Sequence, residues 1–242
     1  MVFTMKITVI HGGRKNGSTY HCAKRFIDEV AKRTENLLEV TEFLLSQDAP
    51  PFCKGCYSCF QNGESTCPHA EKVQPIAEAI KQADIVVLTS PVYALDVTGQ
   101  MKTLLDHLCY MWMSHRPAPE MFRKVGVTIS TTAGAGLSHT AKTLAYSLNY
   151  WGARKTFRYT NPVAASSWAE VSEEKRADID KKLGRLADRA VSTVRRIHRC
   201  PPRLFTRFFF FLMKNMMKSN TWCKRDRDHW DSLGWLSGAN PF

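Results

Sequence analysis

The sequence predicts a doubly wound α/β fold, with five parallel strands in one open sheet, helices on both faces, and a helical, basic C-terminal extension. Three observations carry this prediction. Short apolar runs alternate with amphipathic stretches of ten or more residues, the rhythm of βαβ units. The run at residues 84–89, Asp-Ile-Val-Val-Leu-Thr, is nearly apolar throughout, as a strand covered on both faces should be. Segments rich in small residues and glycine follow the first, third and fourth strands, where such sheets bind ligands beyond their carboxyl ends.

Taken in order, residues 5–10 form a first strand that ends at His11-Gly12-Gly13, and residues 18–32 a helix with apolar spacing at Cys22, Phe26, Ile27 and Val30. Strands follow at Leu38–Leu44, 84–89, 125–129 and 155–159; helices are expected over 73–82, 100–113, 138–151 and 171–197. Ser172 is the expected N-cap of the last of these, with Glu173 and Glu174 in its first turn. Cys200-Pro201-Pro202 interrupts the pattern. Residues 1–199 are therefore read as one domain, with a cysteine-rich loop at 53–67, and 200–242 as the extension.

The chain has 242 residues, 44% of them hydrophobic, enough for a sizeable core, and a net charge of +12. The charge is uneven: residues 195–242 hold ten Lys/Arg and three Asp/Glu, or +7, which leaves +5 for the first 194. Residues 1–6 lack the apolar run of a signal peptide, and no window reaches the roughly 18–20 apolar residues of a spanning helix. The expectation is a cytoplasmic, reducing location in which the eight cysteines are thiols rather than disulfides.

The first loop, His11 to Tyr20, combines Gly12, Gly13 and Gly17 with Arg14, Asn16, Ser18 and Thr19. Glycine lets the backbone approach an anion, and the opening N–H groups of the next helix point at it. This suits a phosphate monoester but meets neither the Walker A nor the dinucleotide glycine spacing. A purely structural turn is the competing reading. The second loop, Ser90-Pro91-Val92-Tyr93 through Gly99-Gln100-Met101-Lys102, is a stiff turn against which a planar ring could lie; alternatively Tyr93 packs at the sheet edge. The third loop, Ser130 to Ser138, offers free N–H groups suited to the polar edge of a heterocycle.

Together these loops resemble the NADPH-dependent FMN reductase group of the flavodoxin-like superfamily over roughly residues 5–195. The second loop carries the resemblance almost residue for residue, whereas the first has Gly12-Gly13 where that group has Ser-Pro. The resemblance implies that Arg14, Asn16, Ser18 and Thr19 hold the phosphate of FMN. It further implies that Pro91, Val92 and Tyr93 contact the isoalloxazine ring, and that Thr131, Thr132, Ala133, Gly134 and Gly136 meet its pyrimidine edge. The flavin would carry the chemistry, so no catalytic side chain is expected. NAD(P)H is the implied electron donor and a homodimer the implied assembly. His107, His115 and His139 have no partner legible in the sequence and read as surface or packing residues.

Cys53, Cys56, Cys59 and Cys67 form the sharpest local pattern, three thiols at successive two-residue gaps with Cys67-Pro68 closing the run. Such spacing can wrap a [4Fe-4S] cluster, and it also resembles the cysteine loop of iron-sulfur flavoproteins. Zinc on the same thiolates, or on three plus His69, and a reduced rim with no metal remain as alternatives.

In the extension, Arg203, Arg207, Lys214 and Lys218 fall on one helical stripe among Phe, Leu and Met. This reads either as peripheral contact with the inner membrane face through 203–218 or as a helix packed on its own domain or across a dimer, burying the Phe run. Trp222, Trp230 and Trp235 are expected to fold back. No nucleic-acid motif is present. Three functions follow: an FMN-dependent oxidoreductase passing electrons from NAD(P)H to a small-molecule or protein acceptor, an iron-sulfur flavoprotein moving single electrons, or a non-enzymatic scaffold acting through its basic tail.

Overall fold

A computed structural model describes residues 4–165 and 167–242; the leader reading of residues 1–6 therefore falls in part outside the described residues. Five strands, β1 (Met5–His11), β2 (Leu38–Leu44), β3 (Ile85–Pro91), β4 (Val125–Thr132) and β5 (Lys155–Pro162), form one parallel sheet in the order β2-β1-β3-β4-β5. The connecting helices are α1 (Ser18–Arg33), α2 (Leu45–Asp48), α3 (Ser58–Gln61), α4 (Ala70–Gln82), α5 (Gly99–His107), α6 (Leu137–Tyr150) and α7 (Glu173–Arg195); α8 (Leu204–Lys218) and α9 (Lys224–Ser232) form the extension. The order reverses direction between β1 and β3, which is the switch point of a doubly wound sheet.

Burial follows from which strands are central. β3 buries every residue but Pro91, while β2, at an edge, is half-exposed along its length. On one face α1 and α7 pack through Phe26, Val30, Ile179, Leu183 and Ala187, and their outer rims are joined by Arg25–Asp180 and Arg33–Asp188, each 2.5 Å. On the other, α4, α5 and α6 bury Ile76, Ile80, Met101, Leu104, Leu144 and Leu148 beside Trp151. Ser172 caps α7, its hydroxyl accepting from the Lys175 N–H at 3.2 Å.

Two expectations are corrected. The helix expected over 100–113 stops at His107 and tightens into a 3₁₀ turn at Leu108–Met111. There the Trp151 indole donates to the Leu108 carbonyl at 3.3 Å and the Tyr150 carbonyl accepts from Met113 at 2.7 Å, so tertiary bonds replace the next helical turn. In the tail the Phe run is divided rather than buried together. Phe210 packs with Met213, Met217, Phe122, Trp230 and Trp235 in a third core, while Phe208 and Phe211 face outward. Trp230 and Trp235 fold back as expected, and Trp222 does so at the surface, its ring 6.2 Å from Tyr57 and 6.4 Å from Phe60 while 67% exposed. Among the described residues no helix is long and apolar enough to cross a membrane.

Candidate functional site

Beyond the carboxyl ends of β1, β3 and β4, the three loops close around a cleft of about 230 Å³. It is lined by Gly13, Arg14, Gly17, Ser18 and Thr19, by Pro91, Val92 and Tyr93, and by Thr131, Thr132 and Ala133, with Val163 and Ala165 from the segment after β5. Side-chain hydroxyls lace the loops together. Thr19 and Thr131 share a buried hydrogen bond of 2.7 Å, and Thr98 donates to the Gly12 carbonyl at 2.7 Å while capping α5. The Gly12 N–H donates in turn to the Thr89 carbonyl at 2.8 Å. A Cβ at Gly12 would lie 2.7 Å from that oxygen, so the first loop reaches the end of β3 only because residue 12 is glycine.

The second loop turns back on itself at Ala94-Leu95, both left-handed (φ 49° and 67°), closed by Tyr93 N–H to Asp96 O at 2.9 Å and its reciprocal at 3.0 Å. Non-glycine residues in this region cost about 1–2 kcal/mol each. The surroundings hold them there. Gly136, at φ +93°, begins α6 directly beneath the turn, and a Cβ on it would meet Val92 Cγ1 at 2.7 Å and Leu95 Cα at 3.0 Å. Asp96 anchors the far side, accepting from the Val97 N–H at 2.7 Å and the Thr143 hydroxyl at 2.9 Å, with His139 Nε2 at 3.3 Å. Partial burial alone would raise the Asp96 carboxyl, but these hydrogen bonds outweigh it and hold its pKa below the usual value.

Of the twelve residues read from the sequence as contacting a flavin, nine line this cleft; Asn16, Gly134 and Gly136 do not. Asn16 is exposed in a left-handed turn, and Gly136 shapes the cleft from behind. Thr98 does not line the cleft but holds its first loop through Gly12; Val163 and Ala165 are additions. Only folding places them there, since no local pattern marks them.

A second cavity, of about 320 Å³, gathers Cys53, Cys56, Cys59 and Cys67, together with Cys109, His69, Asp106 and His107. His107 is a buried packing residue whose partners the sequence did not show: its Nε2–H donates to the Pro51 carbonyl at 2.8 Å, and Nδ1 stands 3.8 Å from Cys67 Sγ. Burial raises the Cys59 thiol, and the neighbouring Cys67 and Cys53 add to the shift. Cys109 is pushed to about 12, mostly by burial and then by Cys59 and Cys53. All eight cysteines are free, and among the described residues no group of three or more His, Cys, Asp or Glu is gathered tightly enough for one metal ion. Four corner thiolates of a cubane stand farther apart than four ligands on one zinc. The soft, all-thiol donor set suits an iron-sulfur cluster or zinc rather than a hard cation.

The extension braces this loop. Arg116, almost buried, donates to the Cys59 carbonyl at 2.6 Å and pairs with Asp226 of α9, itself 1% exposed. Asp226 also accepts from His115 Nδ1–H at 2.8 Å, and the Cys223 thiol donates to the Phe60 carbonyl at 3.2 Å.

Comparison with known proteins agrees with this geometry. The family described as NADPH-dependent FMN reductase matches residues 5–164. An iron-sulfur flavoprotein of Archaeoglobus fulgidus is 32% identical over 131 residues, 54% of this chain and 55% of that protein. One from Clostridioides difficile is 31% identical over 135 residues, 54% and 56% respectively. The chain thus spans about half the length of the curated relatives it matches. An azoreductase of Bacillus anthracis superposes with a TM-score of 0.58 at 16% identity, covering 77% of this chain and all of that one, which shows a shared fold.

Proposed function

The chain belongs to the NADPH-dependent FMN reductase family, and on that premise we propose that it is an FMN-dependent oxidoreductase drawing electrons from NAD(P)H. The observation that carries this reading is the convergence of three loops on one cleft at the switch point of the sheet. The opening N–H groups of α1, with Ser18, Thr19 and Arg14, supply neutral and charged donors for a phosphate. Pro91 and Val92 offer a rigid apolar wall and Tyr93 an exposed aromatic for the ring system, and Thr131 to Ala133 offer polar groups to its edge. Bound there, the flavin would accept electrons in pairs from a reduced nicotinamide and release them in pairs or singly. The protein's part is to orient the ring and to fix the loops through the Thr19–Thr131 and Thr98–Gly12 bonds.

The cysteine cavity supports a second reading, in which Cys53, Cys56, Cys59 and Cys67 hold a [4Fe-4S] cluster that relays single electrons to a small-molecule or protein acceptor. The curated relatives named as iron-sulfur flavoproteins favour it. We further propose a cytoplasmic homodimer, as the family resemblance implies, the second copy covering exposed Tyr93 and Leu95.

Anaerobic purification followed by an absorption spectrum, FMN titration and iron and sulfide analysis tests both readings. Flavin uptake with NAD(P)H-dependent bleaching supports the oxidoreductase; a chain that takes up no FMN refutes it. About four irons per chain, lost in Cys59→Ser with flavin retained, supports the cluster. Zinc, or no metal, removes it.

A further inference from the structure

The helix α8 is amphipathic on two sides. Thr206, Phe210, Met213 and Met217 face the third core. Leu204, Phe208, Phe211, Leu212 and Met216, at helical spacings of four, three, one and four, lie on the opposite side and are exposed, Leu204 by 83%, Phe208 by 67% and Phe211 by 63%. This ridge contains no charge. Arg203, Arg207, Lys214 and Lys218 run along one flank. Soluble proteins seldom leave so continuous an apolar stripe uncovered.

A cleft of about 240 Å³ opens at the N-terminal end of the ridge, lined by Lys142, Tyr146, Asn149, Thr156, Arg158 and Arg203. Arg203 lies half-buried within it, donating to the Asn149 side chain, and its neighbour Arg158 opposes its charge. Lys142, Arg158 and Arg203 have no carboxylate within ion-pair distance among the described residues. The wider surroundings are as one-sided: residues 189–225 contain ten Lys/Arg and no Asp/Glu.

We propose that α8 and this cleft form a docking face for an anionic phospholipid bilayer, the Phe ridge entering the acyl boundary and Lys142, Arg158 and Arg203 receiving a headgroup phosphate. Charge decides between the two natural occupants of the ridge. A second copy packed symmetrically through α8 would bring two basic stripes together with no acidic residue of either helix to offset them. An anionic leaflet supplies the missing counter-charge along the flank and apolar solvent for the ridge. Trp222, exposed just beyond α8, is of the residue type favoured at the headgroup level. The inference stands apart from any cofactor, because none of these residues lines the flavin cleft or the cysteine cavity.

Co-sedimentation of the full chain with vesicles tests it. Vesicles of phosphatidylcholine with phosphatidylglycerol should bind the protein, and those of phosphatidylcholine alone should bind far less. Binding should weaken as salt rises. The variant Phe208→Ser/Phe211→Ser, altered only at exposed positions, should keep its thermal midpoint and lose vesicle affinity by roughly ten-fold or more. Lys142→Glu/Arg158→Glu should lose on the order of ten-fold on anionic vesicles only. No sedimentation with anionic vesicles overturns the proposal. So does a dimer that the Phe variant converts to monomer, which makes the ridge a subunit interface, or retention of inorganic phosphate by a chain that ignores vesicles, which makes the cleft a site for soluble anions.

Discussion

Replacing Asp226 by Asn tests whether the extension is fastened to the cysteine loop by charge. The substitution keeps the size of the side chain and removes the charge that meets Arg116 in a nearly dry contact. The guanidinium is then left with the Cys59 carbonyl at 2.6 Å, the Phe60 carbonyl at 3.5 Å and Glu64 at 3.4 Å. Removing one member of a buried ion pair costs about 3–5 kcal/mol. Glu64, more than a third exposed, compensates in part, which places the expected loss near the lower end, about 3 kcal/mol. For a chain of this length, each kcal/mol moves the midpoint by about 2–4 °C, so calorimetry should show a drop of roughly 6–12 °C. The double variant Arg116→Leu/Asp226→Leu should recover at least half of it, because two apolar residues leave no charge stranded. A drop below about 2 °C for Asp226→Asn, or a double variant as unstable as the single one, would refute the electrostatic account. Limited proteolysis adds a local readout, with cleavage around residues 53–60 expected to quicken in the single variant.

Other outcomes follow from the same geometry. Gly136→Ala forces a Cβ against Val92 and the Leu95 backbone at φ +93°, and should cost about 2–4 kcal/mol of stability with weaker FMN retention in fluorescence titrations. Thr19→Val removes the buried bond to Thr131 and strands one hydroxyl; FMN affinity should fall by roughly five- to ten-fold at nearly unchanged secondary structure by circular dichroism. Lys124 is 6% exposed and burial lowers its pKa from 10.5 to about 8, opposed by Asp84 and Glu120. Between those values the unfolded chain binds the extra proton, so the stability cost of burying this charge is greatest below pH 8 and is relieved as pH rises toward 10.5. Urea unfolding of wild type and Lys124→Met across that interval should show the difference shifting toward wild type by up to about 3 kcal/mol; a constant difference would contradict it.

The scaffold was readable because its signals are local. β2 matches its expected bounds, and α1, α4 and α6 begin or end within a few residues of theirs, since apolar spacing and loop chemistry determine them over short stretches. Nine cleft residues were legible because they lie in three contiguous loops. Val163 and Ala165 were not, because each enters from the segment after β5, far from those loops in sequence. His107 and Cys109 join the cysteine cavity for the same reason: α5 and its 3₁₀ turn deliver them some forty residues after Cys67. Asp226 looked like one charge among many in a basic tail, and only the buried Arg116 opposite it reveals its role.

The two hydroxyl bonds that lace the cleft have a consequence for when it can first exist. Thr98 reaches back 86 residues to Gly12, and Thr131 reaches back 112 to Thr19. During synthesis the Thr98–Gly12 bond must await β3 and the start of α5, and the Thr19–Thr131 bond must await β4, because long-range closure depends on its distant partner. Flavin capture is therefore a late event in biogenesis. Ribosome-stalled chains that end short of Thr131 should release FMN freely, whereas those with the cleft-lining residues through Ala165 clear of the ribosome should retain it. Until that length is reached, the growing chain depends on its apolar strands alone.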